Sequence, residues 1–205
     1  MSKTAHILAI ARGSLGDLGF GVSSHPGDIA HVFEEGVVWI GPRPALETDE
    51  NFVQPIPYIL LKHGDRYLVY RRAAGDHRLK DKFSMGFGGH VDAADTVVDA
   101  NGVIDLQATM MKALARELAE EVSLDLGAEP GRHAIWSHVI TCTDTPVDRV
   151  HVGLAVTVDL AAFPDWRASY EPDLADARFM TLDEILEGDH DLESWTRLMA
   201  NKLVA

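Results

Sequence analysis

The segment ALARELAEEVSLDL, residues 113–126, places three glutamates, Glu117, Glu120 and Glu121, within five positions. Beside them Met111, Leu114, Leu118 and Val122 recur at three- and four-residue intervals, which predicts a helix over 106–122 with one apolar face. The glutamates fall on a neighbouring face of that helix, since i, i+3 and i+4 positions lie together. Like charges so placed weaken a helix by roughly a few tenths of a kcal/mol per pair. They also lie toward its C-terminus, where the macrodipole disfavours anions. Two readings account for them. One is an acidic solvated face, softened by an Arg116–Glu120 pair at i, i+4. The other is a divalent cation, because hard cations prefer several carboxylate oxygens and a helix presents them side by side.

The rest of the chain frames that helix. Its 205 residues suffice for one domain with a substantial core, or a domain with an added arm. A net charge of −14 argues against nonspecific binding to a nucleic acid polymer, while leaving room for a small anionic substrate. The opening residues lack the apolar run of a secretory signal and no stretch approaches a bilayer span, so a cytoplasmic protein with no membrane partner is expected. A single cysteine, Cys142, excludes an internal disulfide, and in the strand-like VITCT it reads as a small buried side chain. Charge is uneven: Arg71, Arg72, Arg78, Lys80 and Lys82 stand against only Asp76 and Asp81 in residues 71–82. That stretch reads as a solvated loop or as a phosphate grip.

Residues 1–50 read as an N-terminal extension: a strand at HILAIA, a glycine-rich turn region, a strand at VVWIG, then a connector rich in proline and acidic residues. This extension is expected to pack on the main domain, pair two copies into a homodimer or cover a substrate pocket. Residues 51–205 form the main domain. PYILLKHGDRYLVYRR reads as a hairpin around His63–Arg66, KFSMGFGGHVD as a strand broken by glycines, and HAIWSHVITCT and VHVGLAVTVDL as strands. TLDEILEG carries a Thr181/Glu184 capping box, and LESWTRLMANKL reads as a terminal helix. These elements imply an α/β fold, a mixed sheet between helical layers.

Arg116-Glu117-Leu118-Ala119-Glu120-Glu121-Val122-Ser123-Leu124 resembles the second half of the Nudix hydrolase signature, and GFGGHVDAAD its first half, with Gly89 matching the opening glycine. A strand ending in YRR before this box, and ARFMTLDEI after it, are also similar to the family, so the likeness spans about residues 53–187. Three departures stand out. Twenty residues separate Asp95 from Arg116 where the family has seven; the five-residue spacing puts Asp95, with Asp92, Asp99 and Asp105 as other carboxylates, where the family has glutamate; and Ser123 replaces the glycine after the helix. The lengthened loop and the GxGGH pattern resemble a subgroup of phosphoesterase-type members.

The resemblance implies a Nudix-type α/β/α sandwich and a pyrophosphohydrolase that uses Mg²⁺ or Mn²⁺ to cleave a small nucleoside diphosphate derivative. It implies metal ligands at Gly89, by its carbonyl, and at Glu117, Glu120 and Glu121. Arg116 is expected to orient a box glutamate, and Arg71, Arg72 and His90 to contact substrate. The general base is open among Glu120, Glu171, Asp173 and Asp176. Histidines 138 and 151 read as packing or surface residues, and the inserted loop after Asp95 as a lid. Two alternatives compete: a nucleotide-binding module without hydrolysis, and a diphosphate isomerase, which Cys142 is poorly placed to serve.

Overall fold

A computed structural model describes residues 6–73, 79–166 and 174–205. Arg78 and Asp76 of the basic stretch, and the candidate bases Glu171 and Asp173, lie outside these residues.

The architecture follows from one long strand. β4 (Phe52–His63) is buried on both faces over most of its length, and its side chains alternate between two cores. Ile59 and Leu61 pack toward α3 (Leu106–Val122), with Leu114, Leu118 and Val122. Tyr58 and Leu60 point the other way, toward α5 (Leu182–Glu187) and α6 (Ser194–Val204), with Ile185 and Met199. The result is a mixed sheet between helical layers, as the element pattern implies.

One edge of β4 runs parallel to β8 (His151–Asp159) for nine residue pairs. Its other edge is shared. β1 (His6–Ala11) pairs at the start, at Ile10↔Val53 and Ala11↔Phe52; β5 (Arg66–Arg72) pairs at the end, beyond the Gly64 turn. Between them Phe87 exchanges two backbone hydrogen bonds with Ile59. The glycine-rich segment is thereby laid against the middle of the sheet. Gly86 faces the Tyr58 ring and Gly88, at φ 149°, passes the Pro57 carbonyl so closely that any side chain would overlap it.

The first fifty residues are threaded into both sides of the sheet. β3 (Val38–Pro42) pairs with β1, whereas β2 (Gly21–Ser23) pairs with β7 (Ile135–Thr141), which in turn pairs with β8. Two elements there were not expected from the sequence. α1 (Pro26–Glu35) is capped by His25, whose ring accepts from the Gly27 amide, and α2 (Arg43–Leu46) begins inside the expected connector. The remaining elements are β6 (Phe83–Ser84), α4 (Pro146–Arg149) and β9 (Leu174–Met180), the last on the far edge of β5. Among the described residues, no helix is long and apolar enough to cross a membrane.

Candidate active site

α3 begins where Asp105 accepts from the Ala108 amide and ends at Ser123, which adopts a left-handed conformation at φ 54°. Across that span the three glutamates separate by environment. Glu117 is buried, Glu120 is exposed and Glu121 is half-buried on the wall of a cavity of about 320 Å³. Gly89 lines the same cavity, and a Cβ placed on it would stand 2.5 Å from Glu117 Oε1. The missing side chain leaves a cradle that the Glu117 carboxylate fills.

Arg116 organises this corner. Its Nη2 lies 2.8 Å from Asp95 Oδ2, its Nη1 donates to Glu117 Oε1 at 2.6 Å and to Glu120 Oε2 at 3.2 Å, and Nη2 also donates to the His90 carbonyl at 3.0 Å. One guanidinium thus ties the box helix to both ends of the segment Gly89–Asp95. Burial works against its charge, yet the pairs with Asp95 and Glu117 hold its pKa above the ordinary value. Asp95 is buried, and it closes a reciprocal cap in which its carboxylate accepts from the Asp92 amide. At the position of the family's glutamate, Asp95 is therefore the partner of Arg116.

Glu117 responds to burial first. Desolvation raises its carboxyl to about 7; Arg116 opposes this, and Glu121 and Glu120 add to it. A carboxylate this reluctant to ionise beside other carboxylates is one that a dication would hold in the charged form.

The opposite wall is built around Glu193. This buried carboxylate accepts from Tyr58 Oη at 3.1 Å, Ser84 Oγ at 2.5 Å and Thr196 Oγ1 at 3.2 Å on one oxygen, and from Arg72 Nε at 3.1 Å on the other. Arg72 consequently lines the cavity with its charge secured: burial opposes it, but the neighbouring Tyr70 and Glu193 raise its pKa. Arg71, next along β5, points elsewhere. It is paired at 2.8 Å with Asp81 and with Asp176, outside the cavity lining. This also places Asp176, one of the expected bases, on the surface pair.

His90 lines the cavity with its Nε2 3.3 Å from that of His151. His151 was not singled out as a site residue, yet it lines the cavity too, and so do Arg43 and Glu47 of α2. A register opposite β4 and a four-residue helix in the extension bring these together, and neither is readable from local spacing. Cys142 is buried, with its thiol pushed up to about 11 by burial, and it does not line the cavity. The inserted residues 96–105 form a loop closed by the Val98↔Ile104 bridge, anchored to α3 by the Val97 amide on Thr109 Oγ1, and they do not line it either.

No family model matches the chain. It is 29% identical over 165 residues to Protein YmaB of Bacillus subtilis (strain 168), covering 78% of this chain and 76% of that protein. Among solved structures it is similar to Tm1382, assigned to the Nudix hydrolases, at a TM-score of 0.73 and 25% identity over 97% of this chain and 98% of that one. Its fold is that of the Nudix hydrolases. A second Nudix likeness, at a TM-score of 0.54 and 16% identity, is to a bifunctional NMN adenylyltransferase/ADP-ribose pyrophosphatase from Francisella tularensis, complexed with AMP and a manganese ion. It covers 74% of this chain and 41% of that one, and at this identity it speaks for the fold alone.

Among the described residues, no three His, Cys, Asp or Glu side chains converge closely enough to enclose an ion by themselves. Magnesium does not require that, since it keeps several waters and takes one or two carboxylates together with substrate phosphate oxygens. The Gly89 cradle, the hard oxygen donors and the buried, repelled Glu117 carboxylate fit such an ion.

Proposed function

We propose that the chain is a divalent-metal-dependent hydrolase that cleaves the diphosphate linkage of a small nucleoside diphosphate derivative by water attack at phosphorus. The observation that carries this reading is the cradle in which Gly89 admits the buried Glu117 carboxylate beside the cavity wall that bears Glu121. The likeness to Tm1382 across nearly the whole chain supports it.

Phosphoryl transfer needs positioning and charge neutralisation more than covalent chemistry. Together with water and substrate oxygens, Glu117 and Glu121, with the Gly89 carbonyl and Glu120 at the rim, would hold Mg²⁺ or Mn²⁺, which when bound neutralises phosphate oxygens and lowers the pKa of a water. The chain's own groups do the rest. Arg116 fixes the Glu117 and Glu120 carboxylates and anchors the Gly89–Asp95 segment to them. Arg72, held by Glu193, turns a positive charge toward the phosphates from the facing wall. His90 stands beside Gly89 to contact substrate. The buried thiol of Cys142 offers an isomerase no nucleophile. A cytoplasmic location suits soluble nucleotides as substrates.

The test is a hydrolysis screen of nucleoside triphosphates, nucleotide sugars, ADP-ribose and dinucleoside polyphosphates with Mg²⁺ and with Mn²⁺, on wild type and Glu121→Gln. Metal-dependent cleavage by wild type that falls by about a hundredfold or more in the variant is expected. Equal cleavage by both proteins, or cleavage indifferent to chelator, would overturn the reading.

A further inference from the structure

We infer that the half of the cavity bounded by the N-terminal extension is a specificity subsite for the non-phosphate end of the substrate. It selects a neutral ring bearing hydroxyl groups, a sugar, over a further phosphate. This rests on the reading above that the box half of the cavity handles the diphosphate.

The charged groups named in this half sum to a net negative charge, one ion pair and one carboxylate held by hydroxyls. Arg43 Nε lies 2.6 Å from Glu47 Oε1. The buried Asp148 accepts from the Thr145 hydroxyl at 2.7 Å and the Ser194 hydroxyl at 3.0 Å. His151 Nδ1 lies 2.7 Å from the Val147 carbonyl, so that nitrogen carries the proton and donates it. The His151 Nε2 lone pair then accepts from His90 Nε2 at 3.3 Å. Burial keeps His151 in that neutral form.

A phosphate entering here would meet the carboxylates of Glu47 and Asp148, and a guanidinium that Glu47 already neutralises. A hydroxyl group meets the opposite situation. Glu47 remains 37% exposed and Arg43 24%, so the pair presents an acceptor and a donor edge to the cavity without being dismantled. Between these polar groups the wall is apolar, with Ile56, Val150 and the half-buried Trp195, a surface suited to the face of a ring. A site built to hydrogen-bond a hydroxyl discriminates strongly against ligands that lack one. The extension thus supplies Arg43 and Glu47 as specificity residues from within the same chain.

Calorimetric titration of the full chain with Ca²⁺ present, comparing ADP-ribose with ATP and UDP-glucose with UTP, tests this independently of turnover. In at least one pair the sugar-bearing ligand is expected to bind about tenfold tighter; Arg43→Ala should remove that preference by weakening the sugar-bearing ligand, and Glu47→Gln, which frees the Arg43 guanidinium, should remove it with no loss of triphosphate affinity. Absence of a sugar preference in both pairs, including no binding at all, would overturn the inference, as would a preference that survives both substitutions. Should either variant misfold, the wild-type ratios still decide. Sugar-selective binding without any hydrolysis would count against the hydrolase reading and leave the subsite standing.

Discussion

Gly89 and Glu117 come from different elements, and they can meet because one of them has no side chain. Gly89 is not held at a left-handed φ, unlike Gly88, so its backbone would accept an alanine. What would not accept it is the carboxylate, whose atoms lie 2.5–2.9 Å from the added Cβ. Gly89→Ala should therefore reduce hydrolysis by about a hundredfold or more through displacement of Glu117. It should lower the melting temperature by only about 2–4 °C. Steady-state rates beside a thermal melt check this, and activity within about threefold of wild type would show that the contact is not used. Spacing alone puts the three glutamates on one helix face, and it is the resemblance to the Nudix signature that joins Gly89 to them. The partnership of Asp95 with Arg116 was not readable, because the lengthened stretch of twenty residues between them hides the approach that the 2.8 Å ion pair reveals. Arg43, Glu47 and Glu193 were hidden for a related reason: each reaches the cavity from a distant part of the chain, with no local pattern to mark it.

α3 shows what periodicity can and cannot deliver. Its apolar stripe sets both its span and its buried face, and the structure has the helix over Leu106–Val122 as the spacing predicts. α1 escaped notice because its apolar residues Ile29, Val32 and Phe33 form less than two turns behind a glycine-rich approach. Strand order was likewise unreadable, since the pairing of β2 with β7 and β1 with β4 joins segments far apart in sequence. At its C-terminus α3 carries a conformational cost. Ser123 sits at φ 54°, ψ 36°, where a side chain crowds the backbone and glycine does not. Ser123→Gly should stabilise the protein by about 0.5–1 kcal/mol, less than the full steric cost because glycine gains entropy on unfolding. For a chain of this size that is a rise of about 1–4 °C in melting temperature. Calorimetry would detect it, and an unchanged or lower Tm would mean that the cap is not strained.

At the scale of the molecule, helices pack on both faces of the sheet, and Cys142 reports on that packing. Its thiol is buried and pushed up to about 11, so at pH 8 the native protein holds far less thiolate than an exposed cysteine does. Labelling by a disulfide reagent should stay slow from pH 7 to pH 9 and become complete only on unfolding. Rapid labelling of the folded chain would contradict the packing described. The central claim, however, concerns the Nudix box, and it can be examined without knowing the substrate. The measurement is manganese binding, followed by electron paramagnetic resonance, to wild type, Glu117→Gln and Glu121→Gln. Wild type should take up Mn²⁺, and each substitution should weaken that uptake by about tenfold or more. Uptake equal in all three proteins would place the metal elsewhere and remove the box helix from the chemistry.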